Sequence, residues 1–464
     1  MSTPLTPYQV LGGLTVLYVS WSLLKLLRNF WMPKGLRNLP GPPARSLLTG
    51  SYNDIYDKNG GWEFHRQLEE NYGSVIKIQG LLGATSLYVY DPLALHHILV
   101  KEQQFYEESQ DIMQITRMLF GPGLTNTVGE RHRFQRKLLT PSFSTAHLRE
   151  MVNIFYEVSH RLHASFQELG KDDQEVDVVV WMSRLALELI GQSGLGTSFD
   201  TLTTDAQPHP FGVAAKVVFP LCSSIPPLRR AFMPLIGKFE NWPRLGRFLV
   251  DLIPVKSIVE LKSVVDTMSK TAEEILAAKK AAIAAGDVAL KDQVGQGKDV
   301  LSALHTTSSA LSRILYLLAT HKDVQEKLRQ EIRDARKENG GLDPEHDALV
   351  ALPYLDAVCR ETLRLYAPVT KVDRVTIADT VLPLGTPIKG IDSKDIHSLP
   401  VPKGTHIIVS ILGSNRNSDL WGPDVLEWKP ERWLKPLPET LIKARVPGIY
   451  SHLMTFISGG HSCM

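Results

Sequence analysis

The feature that most constrains the fold is a helical repeat of apolar residues, which dominates the chain from about residue 92 to Pro368. Apolar side chains that recur every three or four positions fall on one face of a helix. The clearest amphipathic stretches are Ala146 to Leu169, Val255 to Ala284, Ser309 to Lys337 and Pro353 to Tyr366. A long helical middle of this kind predicts a core built mainly from packed α-helices.

Shorter elements flank this helical middle. Residues 74–80 and 85–91 alternate apolar and polar side chains around a glycine-containing turn, which predicts a pair of strands. After Pro368 the pattern is of short strands and turns up to Leu412, followed by irregular chain. The sequence therefore predicts one large domain over residues 45–464, mainly α with small β-sheets (α+β).

Residues 198–247 do not fit this simple division. They are rich in proline and in apolar side chains. Three interpretations stay open: a mobile lid, a patch that dips into a membrane surface, or an irregular loop that covers the core.

The charge balance and the cysteines exclude several functional classes. Among 464 residues, 51 Lys and Arg face 49 Asp and Glu, so no strong field draws the chain to nucleic acid. The three cysteines are Cys222, Cys359 and Cys463, and no two of them form a CxxC pair. A disulfide framework and a Cys-rich zinc site are therefore not expected. The lack of an Asn-x-Ser/Thr sequon also favours a reducing compartment that faces the cytosol.

The amino-terminal segment has the length and polarity of a membrane helix. Residues 8–27 are mostly apolar, and about 20 such residues suffice to cross a bilayer. Basic residues are missing from residues 1–24 and then follow at Lys25, Arg28, Lys34 and Arg37, so the positive-inside rule places the rest of the chain in the cytosol. A cleaved signal peptide is the alternative, although the basic start and small-residue cleavage site typical of one are missing. We expect residues 1–38 to form a single-pass anchor.

A proline-rich stretch follows this segment. Residues 39–44 contain Leu-Pro-Gly-Pro-Pro, which cannot continue a helix. Such a sequence predicts a stiff hinge between the anchor and the cytosolic body.

Three short motifs occur in a fixed order toward the carboxyl end. The first is Glu361-x-x-Arg364 on an apolar-striped helix, the second is residues 430–433 with the sequence Pro-Glu-Arg-Trp, and the third is residues 456–463 with the sequence Phe-Ile-Ser-Gly-Gly-His-Ser-Cys. Each is weak alone, since an ExxR pair is often a surface ion pair and Cys463 by itself could be an inert thiol. Together with the apolar start and the proline-rich hinge, the ordered set resembles the cytochrome P450 family over nearly the whole chain.

The resemblance implies a haem-thiolate site, with haem b (iron protoporphyrin IX) as cofactor. Cys463 would be the axial ligand of the iron, and a thiolate ligand pushes electron density toward oxygen activation. Phe456 would shield the sulfur from water, and Gly459 would let the backbone approach the porphyrin. The residues expected to support this pocket through a buried charge network are Glu361, Arg364 and Arg432.

The resemblance also assigns cations to the haem propionates. His132 and Arg136 match an early helical pair of the family, and Arg374 matches a basic residue after the ExxR helix. His461 stands where the family usually has Arg, so the charge at this position depends on pH. For each residue a solvated surface charge is the alternative.

The chain departs from the family pattern on the oxygen side of the haem. The family carries a signature of Ala/Gly-Gly-x-acid-Thr-Thr/Ser, whereas this chain keeps Thr306 and Thr307, which we take as the catalytic candidates, and has His305 in place of the acid. The spacing ahead of the threonines predicts that a block of about 30 residues, roughly 45 Å of helix, is missing. The family pattern also continues beyond the cysteine with a glycine and a helix. A splice or gene-model variant without these parts would bind haem weakly.

Three functional hypotheses follow. The first is a monooxygenase at the endoplasmic reticulum that inserts one atom of O2 into a hydrophobic small molecule, with electrons from NADPH through cytochrome P450 reductase, in secondary metabolism or xenobiotic oxidation. The second is a catalytically impaired, membrane-tethered relative that binds a hydrophobe or a partner. The third is an unrelated anchored helical scaffold. The segments expected to line a substrate pocket are 105–125, 205–235 and 369–373, and such apolar pockets carry little sequence signature of their substrate.

Overall fold

The computed structural model describes residues 34–46, 48–57, 59–80, 83–171, 175–224, 255–284 and 300–464, with the single residues 20, 245, 248 and 251. Apart from residue 20, the apolar run expected to form the membrane anchor lies outside these ranges. Among the helices of the described ranges, none is both long enough and apolar enough to cross a membrane.

Helices predominate in the described residues. In chain order they are α1 (Lys34–Asn38), α2 (Tyr52–Ile55), α3 (Gly61–Tyr72), α4 (Pro92–His96), α5 (Gln110–Phe120), α6 (Gly129–Leu139), α7 (Thr145–Lys171), α8 (Val178–Ile190), α9 (Pro210–Ser224), α10 (Lys256–Ala284), α11 (Val300–Thr320), α12 (Lys322–Glu338), α13 (His346–Val350), α14 (Pro353–Leu365), α15 (Ile411–Asn415), α16 (Ser418–Trp421) and α17 (Glu439–Ala444). Short 3-10 turns at Pro430–Leu434 and Met454–Phe456 matter for the site described below.

The strands are short and form two sheets. They are β1 (Val75–Gln79), β2 (Thr85–Val89), β3 (Tyr106–Glu107), β4 (Lys371–Thr376), β5 (Thr380–Lys389), β6 (Asp395–Val401) and β7 (His406–Ser410). One sheet has the order β1-β2-β7-β4-β3, and the other is the β5-β6 hairpin. The small sheets confirm the predicted class of a mainly helical protein with minor β structure.

The chain divides into two compact units, which we call the sheet unit and the helical unit. The sheet unit takes in residues up to 107, 372–414 and 444–447, and the helical unit takes in residues 108–371, 415–443 and 448–464. In the sheet unit, β1 and β2 pair antiparallel with Val75 opposite Val89, which confirms the predicted strand pair. The proline-rich stretch lies along β1, because the Lys77 N–H donates to the Pro40 carbonyl at 2.9 Å.

The helical unit is built around α8 and α11, which pack against each other, with α9 packed on α10. Apolar residues of α8, α9, α10 and α11 share one core cluster, in which Leu187, Ala215, Met268 and Leu304 are buried. The amphipathic stretches predicted around residues 146–169, 255–284 and 353–366 appear as α7, α10 and α14.

One stretch predicted as a single helix is in fact two helices. The expected helix from Ser309 to Lys337 breaks at His321, whose backbone (φ −112°, ψ 82°) leaves the helical region between α11 and α12. The break lets Val324 of α12 pack with Leu318 of α11 and Val358 of α14 in one apolar cluster. A single straight helix could not turn its apolar face in this way.

Part of the segment 198–247 is helical. Its residues 210–224 form α9, which continues through Pro220 and buries Ala215 and Val218 completely. A proline inside a helix removes one backbone hydrogen bond, so the burial of the apolar face compensates for that loss. Residues 225–244, which include most of the remaining prolines of the segment, lie outside the described residues.

Candidate haem-thiolate site

The loop that carries Cys463 is closed by its own backbone. It follows the 3-10 turn at residues 454–456, and the Cys463 N–H donates back to the Phe456 carbonyl at 3.0 Å. Gly459 has a φ of 79°, in the left-handed region that suits glycine, and its carbonyl accepts from the Ser462 N–H at 3.2 Å. These bonds shape a compact turn with an exposed cysteine at its end.

The thiol of Cys463 is not activated by its protein surroundings alone. Desolvation raises its pKa, although the residue as a whole is exposed, while a hydrogen bond from the Met464 backbone and the charge of Arg136 lower the pKa to a smaller extent. A metal ion deprotonates a coordinating thiol outright. The sulfur is therefore suited to a ligand role and not to nucleophilic catalysis at neutral pH.

Helix α6 holds this loop from the side through Arg136. One terminal nitrogen of its guanidinium donates to the Gly460 carbonyl at 3.1 Å and to the Ser462 carbonyl at 2.7 Å, and the other donates to Ser462 Oγ at 3.0 Å. These bonds use three of the five N–H groups of an arginine. Arg136, predicted only as a propionate partner, is therefore also a clamp on the backbone next to Cys463.

His132 lies one turn before Arg136 on the same helix and stacks on His461. The two rings have centroids 4.2 Å apart at 27°. Burial lowers the pKa of His132, and the charge of Arg136 lowers it further. The structure thus brings together at the Cys463 loop three of the four residues predicted to contact the propionates. The fourth, Arg374, is buried on β4 in the sheet unit, where its guanidinium donates to the Asp373 carbonyl at 2.8 Å.

The Glu361-x-x-Arg364 pair forms the buried network that the sequence predicts. Both side chains are fully buried, and Arg364 donates to both carboxylate oxygens of Glu361, at 2.9 and 2.8 Å. Arg432 donates to Glu361 at 3.3 Å and to Asp424 at 2.8 Å. The sequence therefore places all three charged residues correctly, although it gives no sign of Asp424.

Two further residues of this network escape sequence reasoning. The indole of Trp433 donates to Glu361 at 3.0 Å, and the carbonyl of Asn415 accepts from Arg364 at 3.1 Å. Trp433 is adjacent to Arg432 in the Pro-Glu-Arg-Trp motif, so its position could have suggested a role. Asn415 is separated from Arg364 by about 50 residues and carries no comparable signal.

The side chain of Asn415 connects this network to the cysteine loop. It accepts from the Met454 N–H at 2.8 Å and donates to Thr455 Oγ1 at 2.9 Å. Thr455 in turn donates to the Leu363 carbonyl of α14 at 2.9 Å. Helix α14 therefore fixes the 3-10 turn whose last residue, Phe456, binds the Cys463 backbone.

The oxygen-side candidates lie on α11. His305 donates from Nε2 to the Ala215 carbonyl of α9 at 2.6 Å, and its ring meets Phe219 edge-on with centroids 5.0 Å apart. Thr306 is half-buried and Thr307 is exposed. The helix is continuous through His305 and Thr306, and the contacts of the Cys463 loop given above come from α6 and α14, not from α11.

Comparisons with known proteins decide the family. The family model described as Cytochrome P450 matches residues 40–464. The chain is 45% identical to Cytochrome P450 monooxygenase 91 of Postia placenta over 96% of this chain and 87% of that protein. It is 39% identical to Ganoderic acid synthetase CYP5150L8 of Ganoderma lucidum over 96% of this chain and 86% of that protein. This chain belongs to the cytochrome P450 family. The predicted family is confirmed, and the protein is a monooxygenase of the oxidoreductase class.

The same comparisons bear on the predicted gap. Cytochrome P450 monooxygenase 81 of Postia placenta is 43% identical over an alignment of 498 residues that takes in 100% of this chain. Since the chain has 464 residues, about 34 aligned positions of that cytochrome P450 have no counterpart here. Their number alone does not show that they form one block, so the predicted gap ahead of Thr306 stays a prediction.

The residues of the site fit the haem iron that cytochrome P450 membership implies. A soft sulfur ligand lies at the end of a glycine-containing loop, and the guanidinium of Arg136 on α6 binds the backbone of the same loop. Phe456 packs at this loop with its carbonyl bonded to Cys463. A cysteine thiolate is a donor typical of haem ligation.

Proposed function

We propose that this chain is a haem b monooxygenase that inserts one atom of O2 into a hydrophobic small molecule, with Cys463 as the iron ligand. The observation that carries the proposal is the loop of residues 456–463, which is fixed from two helices while its sulfur is exposed. A loop held in this way keeps the ligand within the small positional errors that catalysis tolerates.

Each residue has a separate task in this proposal. Arg136 and Arg374, and His132 and His461 when protonated, would bind the haem propionates, and Gly459 would let the backbone approach the porphyrin. Phe456 excludes water from the sulfur. Once bound, the haem supplies the activation of dioxygen. Thr306 and Thr307 supply the hydroxyl groups that pass protons on the oxygen side, because His305 is committed to the Ala215 carbonyl.

The electrons come, in this proposal, from NADPH through cytochrome P450 reductase. Helix α6, which binds the cysteine loop through Arg136, exposes Arg131 and Lys137 beside the apolar Phe134 and Leu138. A basic and apolar surface favours an acidic partner, because charge complementarity steers association. The surface lies on the helix that reaches the iron ligand, so a docked reductase would be close to the haem.

The substrate we propose is apolar. Three rings from different helices meet in the helical unit: Phe120 of α5 lies 6.2 Å from Phe219 of α9, which in turn packs on His305 of α11. Pockets lined in this way select by shape and apolar area. The name of the Ganoderma lucidum relative, a ganoderic acid synthetase, supports a role in secondary metabolism. A single-pass anchor in the endoplasmic reticulum, with the body in the cytosol, completes the proposal.

The test is the difference spectrum of the reduced, CO-bound protein. We expect the long-wavelength band of thiolate-bound haem in the full chain, and its loss in Cys463→Ser. The matched control is Cys359→Ala, because burial raises the pKa of the Cys359 thiol to about 11 and makes it a poor ligand. If the full chain binds haem without this band, or if Cys463→Ser keeps it, the proposal is wrong.

The second hypothesis, a membrane-tethered protein without catalysis, has no support from the comparisons. The same spectra test it, since it predicts binding of a hydrophobe without a haem band. Binding of an apolar fluorescent ligand by protein that shows no haem band would support the second hypothesis, whereas a thiolate-haem band would contradict it.

A further inference from the structure

The segment that leads into the Cys463 loop has an unusual backbone. Ser451, His452 and Ile457 have φ values of 53°, 60° and 46°, in the left-handed region. Side chains with a Cβ disfavour this region, so such residues persist only where the surrounding structure fixes them. Of the six non-glycine residues with positive φ in the described part of the chain, these three lie within the twelve residues that precede Cys463.

The second half of this segment is already explained by Asn415 and Thr455, which bind the turn at residues 454–456 to α14. The first half is a tight turn in which the Leu453 N–H donates to the Tyr450 carbonyl at 2.9 Å. Leu453 is fully buried behind it. The two left-handed residues therefore lie between Tyr450 and a buried side chain, and Tyr450 is the residue that fixes where the turn begins.

The side chain of Tyr450 is bound to α14 through a carboxylate other than Glu361. Its hydroxyl donates to the Asp356 carboxylate at 3.0 Å, and Arg360 forms an ion pair with the same carboxylate at 2.6 Å. The guanidinium of Arg360 also lies over the tyrosine ring, 5.2 Å from its centroid. Burial, and then the charge of Asp356, raises the pKa of Tyr450 to about 12, so the hydroxyl stays a donor at neutral pH.

A short path joins this anchor to the iron ligand. The Tyr450 ring packs edge-to-face on Phe456, with centroids 5.6 Å apart. The Phe456 carbonyl accepts from the Cys463 N–H, and the Ile457 carbonyl accepts from the Ile449 N–H at 3.4 Å. A shift of the tyrosine therefore moves both the ring and the backbone that hold the cysteine.

We propose that Tyr450 is a positioning residue for the haem ligand, which it places by binding Asp356 through its hydroxyl and Phe456 through its ring. The proposal rests on the proposed function, in which Cys463 binds the iron. It adds a second attachment of the cysteine loop to α14, made through Asp356 and not through Glu361. The two attachments meet at Arg360, whose guanidinium pairs with Asp356 and lies over the Trp433 ring, 5.7 Å from its centroid. The hydroxyl and the ring have separable effects, since only the hydroxyl contacts Asp356.

The test compares Tyr450→Phe with Tyr354→Phe. Tyr354 lies on α14, the helix that Tyr450 contacts. Its hydroxyl donates to the Glu431 carboxylate at 2.9 Å, and this bond does not reach the cysteine loop. We expect Tyr450→Phe to lower the ratio of thiolate-bound to thiolate-free haem in the reduced, CO-bound spectrum on the order of tenfold, the equivalent of one hydrogen bond to a charged group. Tyr354→Phe should leave this ratio unchanged.

A second pair of variants tests the carboxylate. Asp356→Asn keeps an oxygen that accepts from Tyr450 and should keep most of the thiolate band, whereas Asp356→Ala should lose it as Tyr450→Phe does. Backbone hydrogen exchange gives a readout that does not depend on haem: the amides of Leu453 and Cys463 should exchange faster in Tyr450→Phe than in Tyr354→Phe.

Two outcomes would overturn the proposal while the proposed function stands. One is a wild-type ratio in Tyr450→Phe. The other is an equal loss in Tyr450→Phe and Tyr354→Phe that follows the melting temperature, since this would show general destabilisation. Absence of the thiolate band in the wild type would instead refute the role of Cys463, and unchanged exchange in the same experiment would show that Tyr450 does not fix the loop either.

Discussion

Helix α14 and the first turns of α11 make opposite use of their polar residues. On α14 the side chains of Glu361 and Arg364 are fully buried and form an ion pair with each other, and Glu361 also pairs with Arg432. On α11 the polar residues at the corresponding functional position are partly open, with Thr307 exposed and His305 spent on a helix–helix contact. The contacts that hold the loop of Cys463, the proposed iron ligand, are therefore buried, whereas the oxygen side departs from the family pattern. Haem ligation and turnover become separable properties of this chain.

The largest effect should come from disrupting the buried ion-pair network on α14. Arg364→Ala leaves Glu361 buried without its main partner, which costs about 3–5 kcal/mol of folding free energy. Denaturant unfolding measures this loss, and haem content should fall with it. The control is Arg66→Ala, whose ion pairs with Glu63 and Glu70 are solvent-exposed and contribute little. Equal stability of the two variants would show that the α14 network does not support the fold.

A smaller effect should come from the clamp on the cysteine loop. Arg136→Ala removes the bonds to Gly460 and Ser462 and should weaken haem retention on the order of tenfold, since charge-assisted hydrogen bonds to the loop are lost. Arg136→Lys keeps the positive charge but loses the planar guanidinium that donates to two residues at once, so it should recover only part of the haem retention. The rate of haem transfer to apomyoglobin measures this retention. Full retention in Arg136→Ala would show that α6 does not hold the loop.

Trp433 offers a finer test of how completely Glu361 is satisfied. Trp433→Phe removes the indole N–H from a buried carboxylate and should cost about 1–2 kcal/mol. Trp428→Phe is the matched control, because its indole donates to the neutral Thr362 hydroxyl at 3.0 Å and should cost less. Calorimetric melting of both variants decides the order. A greater loss for Trp428→Phe would mean that packing, and not the hydrogen bond to Glu361, sets the contribution.

On α11, His305→Ala should lower the free energy of unfolding by about 0.5–1.5 kcal/mol, because the hydrogen bond to the Ala215 carbonyl of α9 is lost. It should leave the thiolate band of the CO-bound spectrum unchanged, because the contacts that fix Cys463 come from other helices. A change in this band would contradict the separation between the two regions. Melting curves and CO spectra of the same preparation provide both readings.

The smallest effect concerns pH. Burial depresses the pKa of His132 below its ordinary value of 6.5. The unfolded chain therefore binds a proton at a higher pH than the folded chain, so the contribution of His132 to stability is present above pH 6.5 and declines as the pH falls toward its folded pKa. His132→Phe keeps an aromatic ring against His461 and should flatten this part of the stability profile. If the stability of His132→Phe changes between pH 7 and about pH 5 with the same slope as that of the wild type, the pH dependence belongs to other groups.

The sequence was sufficient to predict the residues that belong to short motifs. The ExxR pair lies on one helix face by spacing alone, and His132 and Arg136 lie one turn apart for the same reason. The roles of these residues, and of the cysteine loop, came from the resemblance to the cytochrome P450 family. That resemblance rests on short motifs, which a single sequence carries.

The partners that fix these motifs could not be predicted, because they join distant parts of the chain. Asn415 binds the turn at residues 454–455, and Asp356 binds Tyr450 from more than 90 residues away. The break at His321 likewise depends on the packing of α12 against α14 and not on a local proline or glycine. Such features follow from tertiary contacts, and apolar periodicity reports only local structure.

The most direct test of the central claim, that Cys463 is the iron ligand held by α6 and α14, is iron-edge X-ray absorption of the haem-loaded chain. The account predicts a sulfur neighbour of the iron in the wild type and in Cys359→Ala, and its disappearance in Cys463→Ser. A sulfur neighbour that persists in Cys463→Ser, or one that is missing from the wild type, would contradict it.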